Sequence, residues 1–339
     1  MPRAAVALSL VLAAGLAGCG SVTDVDRFPR AAEPAQARPL TARPAGRTIP
    51  VGAGPEGVAA DPRTGIVAVA LREPDAVALV DGRAEKLLRT VGLPAAARHL
   101  SLAAPGGPVL VPAEQANALV RVALPRGRVS RVPVGAYPHD AAQSGDRTFV
   151  GDERGNTLSV LEGSRVVRRI SVAAQPGGVA VVREGRQIAV VSVRERVLEL
   201  YDAKTLRRLG RAPAGVGPTH VVTDGHGLIY VIDTAGDALL VFRTSPELQL
   251  TRRVFLPGAP YGVAYDPTRL RLWITSSRDN RLYELRARGR PAVRRTFPAV
   301  RQPDTVAVDT TTGRVFVTGR VDGVLQVLDP GYGPLPRQR

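Results

Sequence analysis

The stretch Pro55-Glu56-Gly57-Val58-Ala59-Ala60-Asp61-Pro62 decides the fold, because its opening proline recurs along the chain. Equivalent positions precede apolar runs at steps of 42, 41, 38, 42, 42 and 43 residues, with alanine replacing proline in the second copy. These positions are Pro55, Ala97, Pro138, Pro176, Pro218, Pro260 and Pro303. Units of roughly 40 residues, rich in β-branched residues and turn formers, are typical of four-stranded blades repeated around a ring.

A second position repeats with a similar period, at the turn before the third strand of each unit. Its residues are Asp75, Asn117, Asn156, Arg196, Asp237, Asn280 and Gly323. Within the first unit, alternation and turn residues predict strands over 57–60, 66–71, 77–80 and 87–91. The two positions together predict an all-β fold, a seven-bladed β-propeller.

The seventh unit lacks an outer strand, because only a C-terminal tail, residues 331–339, follows its third strand. The stretch Arg47-Thr48-Ile49-Pro50-Val51-Gly52 precedes the first proline and is similar to residues 130–135 of another unit. We therefore expect this N-terminal strand to close the last blade, which leaves the propeller no open edge. The predicted propeller spans residues 47–330.

Residues 1–18 predict a lipoprotein signal peptide. One arginine precedes an uncharged stretch from Ala4 to Ala17, which is shorter than the about 20 apolar residues of a membrane span. Leu16-Ala17-Gly18-Cys19 resembles the lipobox of bacterial lipoproteins, in which the cysteine receives acyl chains such as palmitate. Cys19 is the single cysteine, so we expect it to be lipidated; the alternative is an ordinary signal peptide with a chance cysteine.

Residues 19–46 are rich in proline, alanine and arginine and have no periodic apolar face. This composition predicts a tether that holds the propeller off a membrane. We expect the protein to be anchored at the extracytoplasmic face of the cell membrane, in the cell envelope, as a monomer.

The chain has 46 basic and 30 acidic residues, a formal net charge of +16. Such a charge attracts anionic polymers, but most basic clusters fall on predicted outermost strands, where charges prevent edge-to-edge pairing. The few aromatic residues do not alternate with these clusters, which argues against nucleic acid as a partner. An extracytoplasmic protein or an anionic polymer therefore stays open as a partner.

No catalytic motif or cysteine pair is present, so we assign no catalytic residue, cofactor or metal. The residues just after the proline positions, however, ring one mouth of the central channel, and their types differ between units as a binding surface would require. The candidate binding residues at this mouth are Glu56, Arg98, His99, His139, His220, Tyr261 and Asp304. The alternative is that polar residues only solvate a wide channel.

The repeats resemble the YVTN family of bacterial β-propellers, including its YncE-like group. The likeness rests on Pro55-Glu56-Gly57-Val58-Ala59, on two further Pro-x-Gly-Val-Ala copies at 176–180 and 260–264, and on Tyr230-Val231. The resemblance implies a seven-bladed fold, a fold that also occurs in lactonases, a streptogramin lyase and binding proteins.

Two functions follow as expectations. The first is a lipid-anchored, non-enzymatic propeller that serves as a scaffold for binding or interaction. The alternative is a lactonase-like hydrolase or lyase, with His139 or His220 as general base and Arg98 stabilising negative charge. A metal, or an acid and base within hydrogen-bond reach at the mouth, would favour the enzyme.

Overall fold

The computed structural model describes residues 30–331, and Cys19, the signal peptide and the C-terminal tail beyond residue 331 lie outside them. Within this range all regular secondary structure is β-strand, in seven four-stranded antiparallel sheets arranged as a seven-bladed β-propeller. The predicted fold class is therefore confirmed. No helix among residues 30–331 is long and apolar enough to cross a membrane.

The first strand of the chain is β1 (Arg47–Pro50). Blades one to three then follow in chain order, with four strands each: β2 (Val58–Ala60), β3 (Ile66–Arg72), β4 (Asp75–Asp81), β5 (Lys86–Gly92), β6 (Ser101–Leu102), β7 (Val109–Ala113), β8 (Ala118–Ala123), β9 (Arg128–Pro133), β10 (Pro138–Ser144), β11 (Arg147–Asp152), β12 (Thr157–Glu162) and β13 (Arg165–Ser171). The strands predicted for the first blade match β2 to β5 with small shifts at their ends.

Blades four to seven repeat this order: β14 (Pro176–Val182), β15 (Gln187–Ser192), β16 (Val197–Asp202), β17 (Arg208–Pro213), β18 (Pro218–Thr223), β19 (Leu228–Asp233), β20 (Ala238–Arg243), β21 (Gln249–Phe255), β22 (Pro260–Asp266), β23 (Arg271–Ser276), β24 (Arg281–Arg286), β25 (Ala292–Pro298), β26 (Pro303–Val308), β27 (Val315–Gly319) and β28 (Val324–Leu328). The first strand of each blade lies nearest the channel. Strand β1 pairs with β28 and completes blade seven, as the sequence predicts.

Apolar side chains fill the spaces between neighbouring blades. The second and third strands of each blade are almost entirely buried, whereas the fourth strands are largely exposed. Seven core clusters result, and the one that joins blade seven to blade one contains Ile49, Phe316 and Leu325 beside Val67 and Val69. Because β1 contributes to this cluster, the N-terminal strand closes the ring by packing as well as by hydrogen bonds.

Backbone geometry explains why residues recur at both repeating sequence positions. The turn residue before the third strand has a positive φ in six of the seven blades, for example 49° at Asn117 and 52° at Asn156, a region that favours Asn, Asp and Gly. The glycine of each Pro-x-Gly copy lies against the next blade. A Cβ at Gly57 would be 2.6 Å from the Arg98 carbonyl oxygen, and one at Gly262 would be 2.5 Å from that of Asp304.

Blade two differs where its sequence departs from the repeat. Its first strand, β6, has only two residues, and the segment Ala103-Ala104-Pro105-Gly106-Gly107-Pro108 follows. The two prolines of this segment have no N–H to donate to a strand ladder. The inner wall of the channel is therefore less regular in blade two than in the other blades.

Residues 30–46, which we call the strap, lie against the mouth side of the propeller. The Arg38 N–H donates to the Arg278 carbonyl (3.0 Å), and the Ala45 N–H donates to the Pro298 carbonyl (2.9 Å). The Asn280 side chain also donates to the Arg38 carbonyl. The described part of the predicted tether is therefore held by the propeller, an attachment that its composition does not reveal.

The arginine clusters lie on the fourth strands at the rim, as expected. Several rim guanidinium groups pair with carboxylates of the third strand, as Arg208 does with the buried Glu199 (2.9 Å). Arg253 similarly approaches Asp233, a buried residue at the end of a second strand, at 3.7 Å. Part of the rim charge is thus neutralised within the blades.

Candidate functional site

The residues predicted to ring the mouth do converge. His99 packs against His139 and His220 with ring centroids 4.8 and 4.5 Å apart. His220 in turn contacts Tyr261 at 4.4 Å. Glu56, Arg98 and Asp304 join them around one small void that also touches His99 and Tyr261. The site is, however, packed rather than open, because the three histidines are each no more than 9% exposed.

A second ring surrounds the first and was missed by sequence reasoning. It consists of the residue three positions before each repeating turn residue, at the end of the second strand. Its members are Arg72, Glu114, Glu153, Val193, Thr234, Ser277 and Arg320. The same register that located the blades could therefore have located this ring.

Most mouth residues find their partner in the second ring of their own blade. The pairs are Glu56 with Arg72 (2.7 Å), Arg98 with Glu114 (3.2 Å), His139 with Glu153 (2.9 Å), Thr219 with Thr234 (2.8 Å) and Asp304 with Arg320 (3.8 Å). In blade four the two ring positions are Gly177 and Val193, which pack together. A Cβ at Gly177 would lie only 2.5 Å from the Val193 side chain.

These pairs offer another explanation for the variation of the first ring from blade to blade, which by itself predicts ligand binding, because the second ring varies with it. An acid faces a base, a hydroxyl faces a hydroxyl, and glycine faces valine. Such variation is what internal pairing requires, because each buried polar group needs a complementary partner.

The ion pairs continue between blades. Arg320 also pairs with Glu56 (3.0 Å), and Arg72 also pairs with Glu114 (3.4 Å). Blades seven, one and two thus share one network of alternating charges, and Glu114, which lies between Arg72 and Arg98, is only 1% exposed. The strap adds to the end of this network, where Glu33 accepts from Arg98 at 2.8 Å.

Five of the seven mouth residues have shifted pKa values, and two of them, Asp304 and His139, concern acid–base chemistry. Burial, followed by the charge of Glu56, raises the pKa of Asp304 to about 7. Burial alone would lower the pKa of His139, but its hydrogen bond to Glu153 and the charge of that residue raise it above its ordinary value. His139 and Glu153 are therefore an acid–base pair within hydrogen-bond reach, as the enzyme hypothesis requires, although the histidine is buried.

Among the described residues, no group of three or more histidine, cysteine, aspartate or glutamate side chains is arranged to hold a metal ion. The stacked pair explains part of this: the rings of His99 and His220 are tilted by only 18°, so their in-plane lone pairs run side by side rather than converging on one ion. Within residues 30–331, the void between Glu56, Arg98, Tyr261 and Asp304 also has no room for a water molecule.

Below the histidines the channel is open. A cavity of about 370 Å³ runs along the inner strands, from His99 and His220 down to Gln143 and Thr223 at the far strand ends. Its walls are mostly valine, alanine and leucine. The central channel is therefore closed at the mouth and open at its far end.

No protein-family profile matches the sequence. A curated protein, the tRNA N6-adenosine threonylcarbamoyltransferase of Synechococcus sp. (strain WH7803), is 50% identical over 52 residues, which are 15% of this chain and 15% of that protein. The match covers too little of either chain to show a shared family or activity.

Solved structures agree with the fold. Hydrazine synthase of Kuenenia stuttgartiensis superimposes with a TM-score of 0.73 at 15% identity, over 83% of this chain and 97% of that one. A streptogramin B lyase structure gives a TM-score of 0.70 at 12% identity, over 84% and 96%. This chain is a β-propeller. At such identities the likeness shows the fold alone, and membership of the YVTN family stays a prediction.

Proposed function

We propose that this protein is a lipid-anchored extracytoplasmic propeller of the YVTN type that acts as a binding scaffold rather than as an enzyme. The β-propeller is a rigid ring whose variable loops are commonly used to bind partners. The lipobox-like sequence that ends at Cys19 supplies the anchor. Ligands approach the end of the channel that opens opposite the mouth.

The closed mouth is the observation that favours the scaffold function over the hydrolase function. A hydrolase of the kind considered above needs its general base and its cationic group to reach a substrate. Here His139 is engaged by Glu153, and Arg98 lies between Glu114 and Glu33. These groups pair with one another, and the void that Arg98 lines has no room for a substrate. His220, the other candidate base, borders the open channel, but Arg98 does not line that cavity.

Anchoring is tested by replacing Cys19. We expect the wild-type protein in the membrane fraction and labelled by a palmitate analogue, since two acyl chains suffice for stable attachment. Cys19→Ala should be neither labelled nor processed, whereas Ser21→Ala, outside the lipobox, should behave as wild type. Mature wild-type protein in the medium with an unmodified N-terminus would exclude the anchor.

The choice between scaffold and hydrolase is tested separately. We expect no turnover of a panel of lactones by the purified protein. Turnover that disappears in His139→Gln, while the melting temperature stays within a few degrees of wild type, would establish the hydrolase instead.

A further inference from the structure

His220 breaks a rule that other blades obey. Its position, one residue beyond the mouth ring, is glycine in three blades and otherwise bonds the neighbouring blade. Asp140 accepts from the Val179 N–H at 2.8 Å, and Thr305 donates to the Glu56 carbonyl. Both ring nitrogens of His220 have no hydrogen-bond partner among the described residues and almost no accessible surface, and the residue as a whole is only 8% exposed.

The electrostatic surroundings fix the form of this side chain. Burial, followed by the charges of His99, His139 and Arg98, holds the pKa of His220 well below its ordinary value. The ring is therefore neutral at pH 7 and offers one N–H donor and one bare nitrogen acceptor. Buried groups of this kind are normally satisfied, so a donor and an acceptor are missing from the site.

The cavity beside His220 indicates which kind of ligand could supply a hydrogen-bond partner. His220 borders the closed end of the 370 Å³ channel, whose walls include Val58, Leu100, Val179 and Val221. A cavity of this size lies within the range of small-molecule sites, which combine apolar walls with a few placed polar groups. The far end of the channel gives the ligand its entrance.

We propose that the channel binds a small uncharged molecule with an apolar body, whose hydroxyl or amide head forms a hydrogen bond with one ring nitrogen of His220 as the ring turns slightly toward the channel. A cationic head is disfavoured by burial at His220, and the Asp140 carboxylate, which also lines the cavity, already accepts from the Ala141 and Val179 N–H groups. A carboxylate would lose its hydration and meet only one imidazole donor, and a metal ion would meet the side-by-side lone pairs of His99 and His220. The proposed ligand site does not depend on the lipid anchor, so an experiment can overturn one of the two proposals and leave the other standing.

Four probes that share one ring test the proposal: benzyl alcohol, toluene, benzylamine and benzoate. Each is titrated into the full-length protein while the ring ¹⁵N signals are followed, and the chain has only four histidines to assign. Benzyl alcohol should shift the His220 signals and bind about fivefold more tightly than toluene, the gain expected from a hydrogen bond to a buried neutral partner. Both charged probes should bind more weakly than the alcohol.

Variants identify the group responsible. His220→Phe should bind toluene and benzyl alcohol equally, whereas His220→Gln, which keeps a donor and an acceptor, should retain a preference for the alcohol. His226→Phe, at an exposed histidine outside the channel, is the matched control and should match wild type. If His220→Phe does not fold, the wild-type spectra decide.

The proposal is overturned by any of three results. These are His220 nitrogens that do not move with benzyl alcohol, tighter binding of a charged probe, and an alcohol preference that persists in a folded His220→Phe variant.

Discussion

At the mouth, the inner strands begin with charged side chains that pair inside their own blades; a few residues further on, the same strands line an open apolar channel. Arg98 and Glu114 belong to the first end, and Thr223 and Gln143 to the second. Residue variety therefore has a different meaning at each end. At the mouth, most of the variable side chains have a partner in the second ring, whereas the ring nitrogens of His220 have none among the described residues. The unpaired side chain is therefore the better guide to a ligand.

The largest expected effect comes from breaking the mouth network at Glu114, one of its most buried members. Glu114→Ala leaves Arg72 and Arg98 without their shared carboxylate, so we expect a loss of about 3 kcal/mol in the free energy of unfolding, measured in urea. Glu162→Ala is the control, because its partly exposed ion pair with Arg147 should contribute under about 0.5 kcal/mol. Equal losses would show that the arginines turn out to water and that the mouth is not sealed.

A smaller effect depends on pH. The pKa of Asp304 is about 7 in the folded protein, above its unfolded value, so this group makes wild-type stability fall as pH rises from about 4 to 7. Asp304→Asn removes this dependence. Between pH 5 and pH 8 the variant should gain about 2.5 kcal/mol relative to wild type, because the folded pKa of Asp304 makes wild-type stability fall over nearly two of these three pH units.

Thermal unfolding at both pH values measures this difference, with Asp322→Asn, at an exposed carboxylate, as control. A difference between Asp304→Asn and wild type that is the same at pH 5 and pH 8 would mean that Asp304 ionises normally and that water reaches the mouth.

The smallest effect concerns the strap. Glu33→Ala removes its ion pair with Arg98, but Glu33 is exposed, so stability should change by under about 0.5 kcal/mol. Hydrogen exchange should show that the Arg38 and Ala45 amides stay protected by their bonds to blade six. Loss of that protection would show that Glu33 holds the strap and that the strap helps to close the mouth.

The sequence predicts the blade count and ring closure because both depend on repeated local chemistry. The proline and turn positions recur for backbone reasons, as the positive φ at Asn117 and the close approach at Gly57 show. The register of the repeat also predicts that Glu56, Arg98 and three of the four histidines lie close together. All these inferences need only the register of the repeat.

Burial and pairing at the mouth were not predicted, because they depend on contacts between positions that were considered separately. Glu114 and Arg320 become visible only when the second ring is aligned with the first. The strap is harder to detect, since proline, alanine and arginine give no periodicity and most of its bonds use the backbone. The unpaired state of His220 depends on every neighbour at once and needs coordinates.

The strap also bears on how the propeller would stand on a membrane. Only ten residues separate Cys19 from Arg30, a reach of at most roughly 40 Å when fully extended, and the chain beyond them is fastened across the mouth side. If Cys19 carries lipid, the propeller is tethered by one face and cannot turn over freely. The mouth then faces the lipid surface, and the channel opens toward the compartment beyond it, where a solute would enter without passing between protein and membrane.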